Sequence, residues 1–256
     1  MRCKRLSGSE FGRLADVLGE RVETVISVHL LRRGLCRAWV TGEVDAFSAV
    51  VIQGHHLPGE PTAFGRDAQA VCELLQQVPG WECVDVPSSI ARAVGSIIER
   101  EMQTAVRYLD DVYHVLERPV NDFASEVVRR LGVQDVELVE SSPRELQGGC
   151  FGDVRTMLTE GVAAGAIVGG RLVAIAHTSA LSERYADIGV FTDAAFRRCG
   201  FATAGAALVA REVERSGRTP VWSTGEHNVA SLRVAAKLGF REVVRTTYVV
   251  PEMKTN

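Results

Sequence analysis

From Ser9 to Leu31, apolar side chains recur at Phe11, Leu14, Leu18, Val22, Val25 and Ile26, with His29 in the same phase. A spacing of three and four residues predicts an amphipathic helix. Two strand-like runs follow, Cys36 to Thr41 and Ala46 to Gln53, and then a loop marked by Pro58, Gly59 and Pro61. Arg66 to Val78 carries a second helical face, formed by Val71, Leu74, Leu75 and Val78, and stops at Pro79-Gly80. Trp81 to Val86 predicts a strand, and Pro87-Ser88-Ser89 the cap of a helix running to Met102. Thr104 to Leu109 and Val112 to Leu116 read as two short strands, and Arg118 to Asp122 as a linker.

The second half repeats this alternation. Glu126 to Leu131 predicts a strand, Val133 to Leu146 a short helical region interrupted by Pro143, and Phe151 to Glu160 another helix. Ala163 to Val168 and Leu172 to Thr178, joined by Gly169-Gly170, predict a hairpin. A reversal at Leu181 to Arg184 leads into the strand Tyr185 to Thr192; a helix from Thr203 to Arg215, a strand from Thr219 to Thr224 and a helix capped by Asn228 follow.

Composition narrows the class. With 46% apolar and 24% charged residues the chain predicts a globular protein, and its length leans towards two domains. A net charge of −3 provides no broad positive field for nucleic acid or an anionic membrane, so neither is expected as a partner. The six cysteines form no C-x-x-C pair, which argues against a zinc or redox site and fits a reducing, cytoplasmic setting. No run of roughly 18 uncharged apolar residues suggests a membrane span. His55-His56 reads as a solvated loop rather than a metal site, since adjacent side chains on an extended segment diverge; no metal is expected.

The segment that carries chemistry is Asp193 to Ala202, between a strand and an alanine-rich helix. Free N–H groups at a helix start attract anions. Gly200 and Ala202 keep the wall low, and Arg197 and Arg198 add positive charge. The chain has neither G-x-x-x-x-G-K-[ST] nor G-x-G-x-x-G, so it lacks the signatures of a P-loop or a Rossmann site, and it has no G-x-S-x-G elbow.

Arg197-Arg198-Cys199-Gly200-Phe201-Ala202 fits the pattern [QR]-x-x-G-x-[GA]. Ahead of it stands Ala186-Asp187-Ile188-Gly189-Val190, and after it Asn228, Ser231, Lys237, Gly239 and Phe240 fit N-x-x-[AS]-x-x-x-x-x-K-x-G-F. Together with Val128-Arg129-Arg130-Leu131 and Asp135, this order resembles the GNAT superfamily of acyl-CoA-dependent N-acyltransferases across Glu126 to Val250.

The resemblance implies an α/β (α+β) fold with a central mixed sheet in which two neighbouring strands splay to admit acyl-CoA. It implies acetyl-CoA or another acyl-CoA as co-substrate, a small-molecule primary amine as acceptor, and a homodimer as one open assembly. Val190 and Thr192 would line the pantetheine arm; Arg197, Arg198, Cys199, Gly200, Phe201 and Ala202 the pyrophosphate; Asn228 and Ser231 the far side. Asp187 stands where many members carry a base, with His177 and Glu226 as further candidates. Ala235 occupies the place of the tyrosine that usually protonates the leaving thiolate, which leaves a non-catalytic acyl-CoA sensor or interaction module as the alternative.

In light of that fold, residues 1–118 read as a degenerate second copy without the CoA motif, 119–125 as a linker and 126–256 as the N-acetyltransferase domain.

Overall fold

The computed structural model describes residues 3–121 and 123–252; Asp122, at the end of the predicted linker, lies outside them. The first half runs β1 (Cys3–Arg5), α1 (Gly8–Leu18), α2 (Val25–Arg33), β2 (Cys36–Thr41), β3 (Ala49–Gly54), β4 (Thr62–Gly65), α3 (Ala68–Leu75), β5 (Val84–Pro87), α4 (Ser88–Met102) and β6 (Val106–Leu116). The second runs β7 (Val128–Leu131), α5 (Val136–Glu140), α6 (Val154–Glu160), β8 (Ala163–Val168), β9 (Arg171–Leu181), β10 (Tyr185–Thr192), α7 (Phe201–Arg215), β11 (Thr219–Gly225), α8 (Val229–Leu238) and β12 (Phe240–Pro251). The same order of elements therefore occurs twice.

All these strands form one sheet in the order β1-β2-β3-β4-β5-β12-β6-β11-β10-β9-β8-β7. Each half contributes five consecutive strands on its own side but places its last strand beside the other half. Thus β6 pairs with β11, β12 pairs with β5, and the two exchanged strands pair with each other from Phe240↔Leu116 to Pro251↔Val106. Among the described residues, only β4 with β5 and β10 with β11 are parallel. The sheet is mixed, as the resemblance implied.

Two departures from the expected elements have local causes. The predicted helix Ser9 to Leu31 breaks at Gly19, whose φ of 72° lies in the left-handed region, and resumes as α2 after a turn of 3-10 helix. The two strands predicted for 104–116 are one, because Asp110 and Asp111 continue the pleat instead of ending it.

The helices sit on both faces. On one, α1 and α2 bury Leu14, Val28 and Leu31 against Ala38, Val40 and Ile52, while α5 and α6 bury Val139 and Met157 against Leu131 and Ile175. On the other, α3 and α4 cover the first half's strands and α7 and α8 the second's. The alanines of α7 allow close approach: a Cβ added at Gly205 would lie 3.2 Å from Ala176 Cβ.

Candidate active site

The parallel ladder between β10 and β11 is short. It joins Tyr185 to Thr219, Ala186 to Pro220 and Asp187 to Val221, and then stops. Beyond that point β10 pairs only with β9 and β11 only with β6, so the two strands part and open a gap.

At the open end lies a cleft of about 600 Å³. It is lined by Val190, Thr192, Arg197, Arg198, Gly200, Phe201, Ala202, Asn228 and Ser231, which brings together every expected binding residue except Cys199. Cys199 is exposed and turns its thiol towards the Arg197 carbonyl.

The loop geometry leaves backbone N–H groups exposed where an anion was expected. Arg198 has φ of 67°, a left-handed conformation uncommon outside glycine, and Gly200 follows at 83°. Gly200 is the N-cap of the 15-residue α7, and no side chain caps that end. The first-turn N–H groups therefore remain available, with the positive end of the helix dipole behind them. A Cβ at Gly200 would meet nothing within 4 Å, so the space in front of the backbone is open.

The expected binding set did not include Arg233, or Lys237, which entered only as a position of the α8 pattern; both line the same cleft. Their signal was their separation by four residues on α8, which puts them on one helical face. With Arg197 and Arg198 they surround a cleft whose lining includes no carboxylate, in a chain of negative net charge. Within the cleft, the buried Thr192 Oγ1 has no hydrogen-bond partner among the described residues. A phosphate-rich ligand with polar groups along its arm fits this set.

Asn228 and Ser231 also have structural work. Asn228 Oδ1 accepts from the Ser231 N–H at 3.2 Å, capping α8, and Ser231 Oγ accepts from Trp222 Nε1 at 2.9 Å.

Asp187 occupies the vertex where the strands part, 4% exposed. Ser223 Oγ donates to its Oδ1 at 2.9 Å, and the Ser179 hydroxyl to its Oδ2. Burial pushes its carboxyl up to about 6, against the pull of those hydroxyls. A carboxylate poised there can accept a proton near neutral pH.

His177 does not face Asp187 across the ladder as expected. It pairs with Gly189, while Asp187 pairs with Ala180. The register shifts between Asp187 and Ile188, where Ser179 on β9 has no partner of its own, and this bulge supplies the hydroxyl that reaches Asp187. Burial lowers the His177 pKa, and its Nδ1 lies 3.0 Å from the Thr178 carbonyl. Glu226 is elsewhere, exposed beyond β11 and ion-paired with Arg245 Nη1 at 3.1 Å. Ala235 is fully buried in the α7–α8 core, so no hydroxyl stands at that position.

The first half reaches this face. His29 Nδ1 accepts from the Leu181 N–H at 3.0 Å, and its Nε2 lies 3.0 Å from the Cys150 carbonyl. His56, expected in a solvated loop, is half-buried, with Nε2 3.2 Å from Cys150 Sγ. Both contacts span more than ninety residues of sequence, and no local signal marks them. Burial and then the charge of Asp187 push the Cys150 thiol up to about 12, so it is no thiolate. Among the described residues no group of His, Cys, Asp and Glu could hold a metal, and no helix is long and apolar enough to cross a membrane.

A family model for GNAT acetyltransferase matches residues 90–249. Among solved structures, a GCN5-related N-acetyltransferase-like protein from Streptococcus suis superposes with a TM-score of 0.72 at 20% identity, covering 95% of this chain and 99% of that one. A Drosophila protein gives 0.68 at 16%, covering 99% of each chain. A tandem GNAT protein from the clavulanic acid biosynthesis pathway gives 0.55 at 15%, covering all of both. No curated protein matches the sequence.

Proposed function

As the chain belongs to the GNAT acetyltransferase family, we propose that it transfers an acyl group, acetyl in the simplest case, from acyl-CoA to the primary amine of a small molecule. The observation that carries this reading is the splay of β10 and β11, which opens between the uncapped start of α7 and the buried carboxylate of Asp187.

In this reading Arg197, Arg198 and the first-turn N–H groups of α7 hold the pyrophosphate, and Val190 and Thr192 line the pantetheine arm. Arg233 and Lys237 add charge from α8. Asp187 takes a proton from the incoming ammonium, directly or through water, so that the neutral amine can attack. Ser179 and Ser223 hold the carboxylate and stabilise its ionised form. With Ala235 in the usual acid position, the leaving thiolate takes its proton from solvent; at a thiol pKa near 8.5 this omission costs only about 2 kcal/mol at pH 7.

The division of labour follows. Residues 126–256 bind the acyl-CoA and supply Asp187; residues 1–118 carry no CoA motif and brace the acceptor face through His29 and His56.

The test is CoA release from acetyl-CoA in the presence of an amine panel of amino acids, polyamines and aminoglycosides. Turnover of one class is the expected result, and failure to bind acetyl-CoA in calorimetry would overturn the reading. Tight binding without turnover of any amine would instead favour a sensor, the alternative that Ala235 motivates.

A further inference from the structure

Two neighbouring acids on β6 have opposite surroundings. Asp110 is matched: Thr247 Oγ1 donates to its Oδ1 at 2.9 Å, and Arg245 Nη1 lies 3.6 Å from its Oδ2. Asp111, on the other face of the strand, is partly buried and has neither a hydrogen-bond nor an ion-pair partner among the described residues. Burial, and then the charges of Asp187 and Glu60, push its carboxyl up to about 7, as befits an acid without a counter-cation.

Tyr113 stands beside it on the same face. It is 5% exposed, and its hydroxyl has no hydrogen-bond partner among the described residues, yet that oxygen is not closed off from solvent. A buried phenol ordinarily finds a partner. Burial, and then the charges of Asp85, Asp111 and Asp187, raise its pKa, so it faces carboxyls as a neutral group.

The sheet register joins these groups to the vertex of the splay. On β11, Ser223 pairs with Tyr113 and Gly225 with Asp111, and Ser223 Oγ donates to Asp187 from the same face. Asp111 therefore lies one strand across and two residues along from Ser223, a separation of roughly 8 Å. An organic cation suits this place better than a metal ion, since no group of three His, Cys, Asp or Glu among the described residues could hold one.

We propose, resting on the acyl-transfer reading above, that the acceptor is a linear diamine: one amino group reacts beside Asp187, and the other, as its ammonium, sits on the Asp111 carboxylate and the Tyr113 hydroxyl. In that step the C–N bond forms as the C–S bond breaks. The reacting ammonium gives up two protons, the first to Asp187; the thiolate gains one and one is released, while the second ammonium is unchanged. The first half thus selects the acceptor through β6, the strand it lends to the other half's sheet.

The test is calorimetric titration of the full chain with 1,5-diaminopentane and with pentylamine, in the presence and absence of CoA, at about pH 8, where both amines remain protonated. The diamine should bind at least about tenfold tighter, the worth of a hydrogen bond between charged groups. Asp111→Asn, close in shape, should bring the two amines within about twofold of each other, and Tyr113→Phe should cut the preference about threefold. Thermal unfolding checks the fold of each variant. Titration with acetyl-CoA tests the cofactor reading separately: its failure would sink acyl transfer and leave the amine preference standing. The proposal is overturned if neither amine binds, if the diamine binds no tighter than pentylamine, or if either variant, folded, keeps the full preference.

Discussion

In both halves the chain runs up a strand that parts from a parallel neighbour and then turns into a helix, yet the two turns end differently. After β4 the chain passes Gly65-Arg66-Asp67, and the Asp67 carboxylate closes the start of α3. After β10 it passes Arg197 to Gly200 and leaves α7 open. Where the strands part, β4 carries Thr62 and β10 carries Asp187. The shared backbone frame therefore does not decide whether a half takes acyl-CoA. What differs is the helix start, plugged by a side chain in one half and left open in the other.

The largest effect should come from removing the carboxylate. Asp187→Asn is expected to lower kcat by about a hundredfold or more, as loss of a general base does, with little change in acetyl-CoA affinity. In the unaltered protein kcat/KM should rise with pH through a midpoint near 6, because the base works only when ionised and burial has raised it to about that value. A pH–rate profile of both proteins checks this, and an unchanged acid limb in the variant would exclude Asp187 as its source.

Next in size is Gly200→Asp, which gives α7 the plug that α3 carries. Aspartate tolerates a left-handed backbone, so the loop should survive, while calorimetry should show acetyl-CoA affinity reduced by about ten- to a hundredfold.

The converse change, Asp67→Ala, should lower the melting temperature by a few degrees, since losing an N-cap costs about 1 kcal/mol, and leave acetyl-CoA affinity as it was. Smallest is Ser223→Ala. Its hydroxyl favours ionised Asp187, so its loss should move the acid limb of the profile to higher pH.

How far this was legible in the sequence depended on how local each signal is. The loop from Arg197 to Ala202 and the cap at Asn228 are set by neighbours a few residues away, and all of these residues but Cys199 line one cleft. The repeated order of elements could be followed from apolar periodicity in part, because each half buries its helices against its own strands, but the four-residue β4 (Thr62–Gly65), read as part of a loop after Pro61, is too short to show an alternation.

The pairing of His177 could not, because a single bulge at Ser179 resets the register beyond it. The surroundings of Asp187 were hidden for a related reason. Ser223 reaches it from a neighbouring strand, and Asp111, raised to about 7 by burial and then by the charge of Asp187, comes from the first half. Asp110-Asp111 looked like a break between strands because acids are uncommon inside them, and only the exchange that buries β6 between β11 and β12 gives them that place. No periodicity encodes which strand a distant strand will choose.

That exchange has a consequence for how the molecule comes apart. A chain cut at the linker would leave β11 with a bare edge where β6 had been, and β12 with neither neighbour. The half without a CoA motif thus cannot be shed to leave a smaller enzyme, since it supplies a central strand of the other half's sheet. Denaturation should proceed as one cooperative transition rather than two, and a fragment of residues 126–256 expressed alone should pair its open edges with other chains and aggregate.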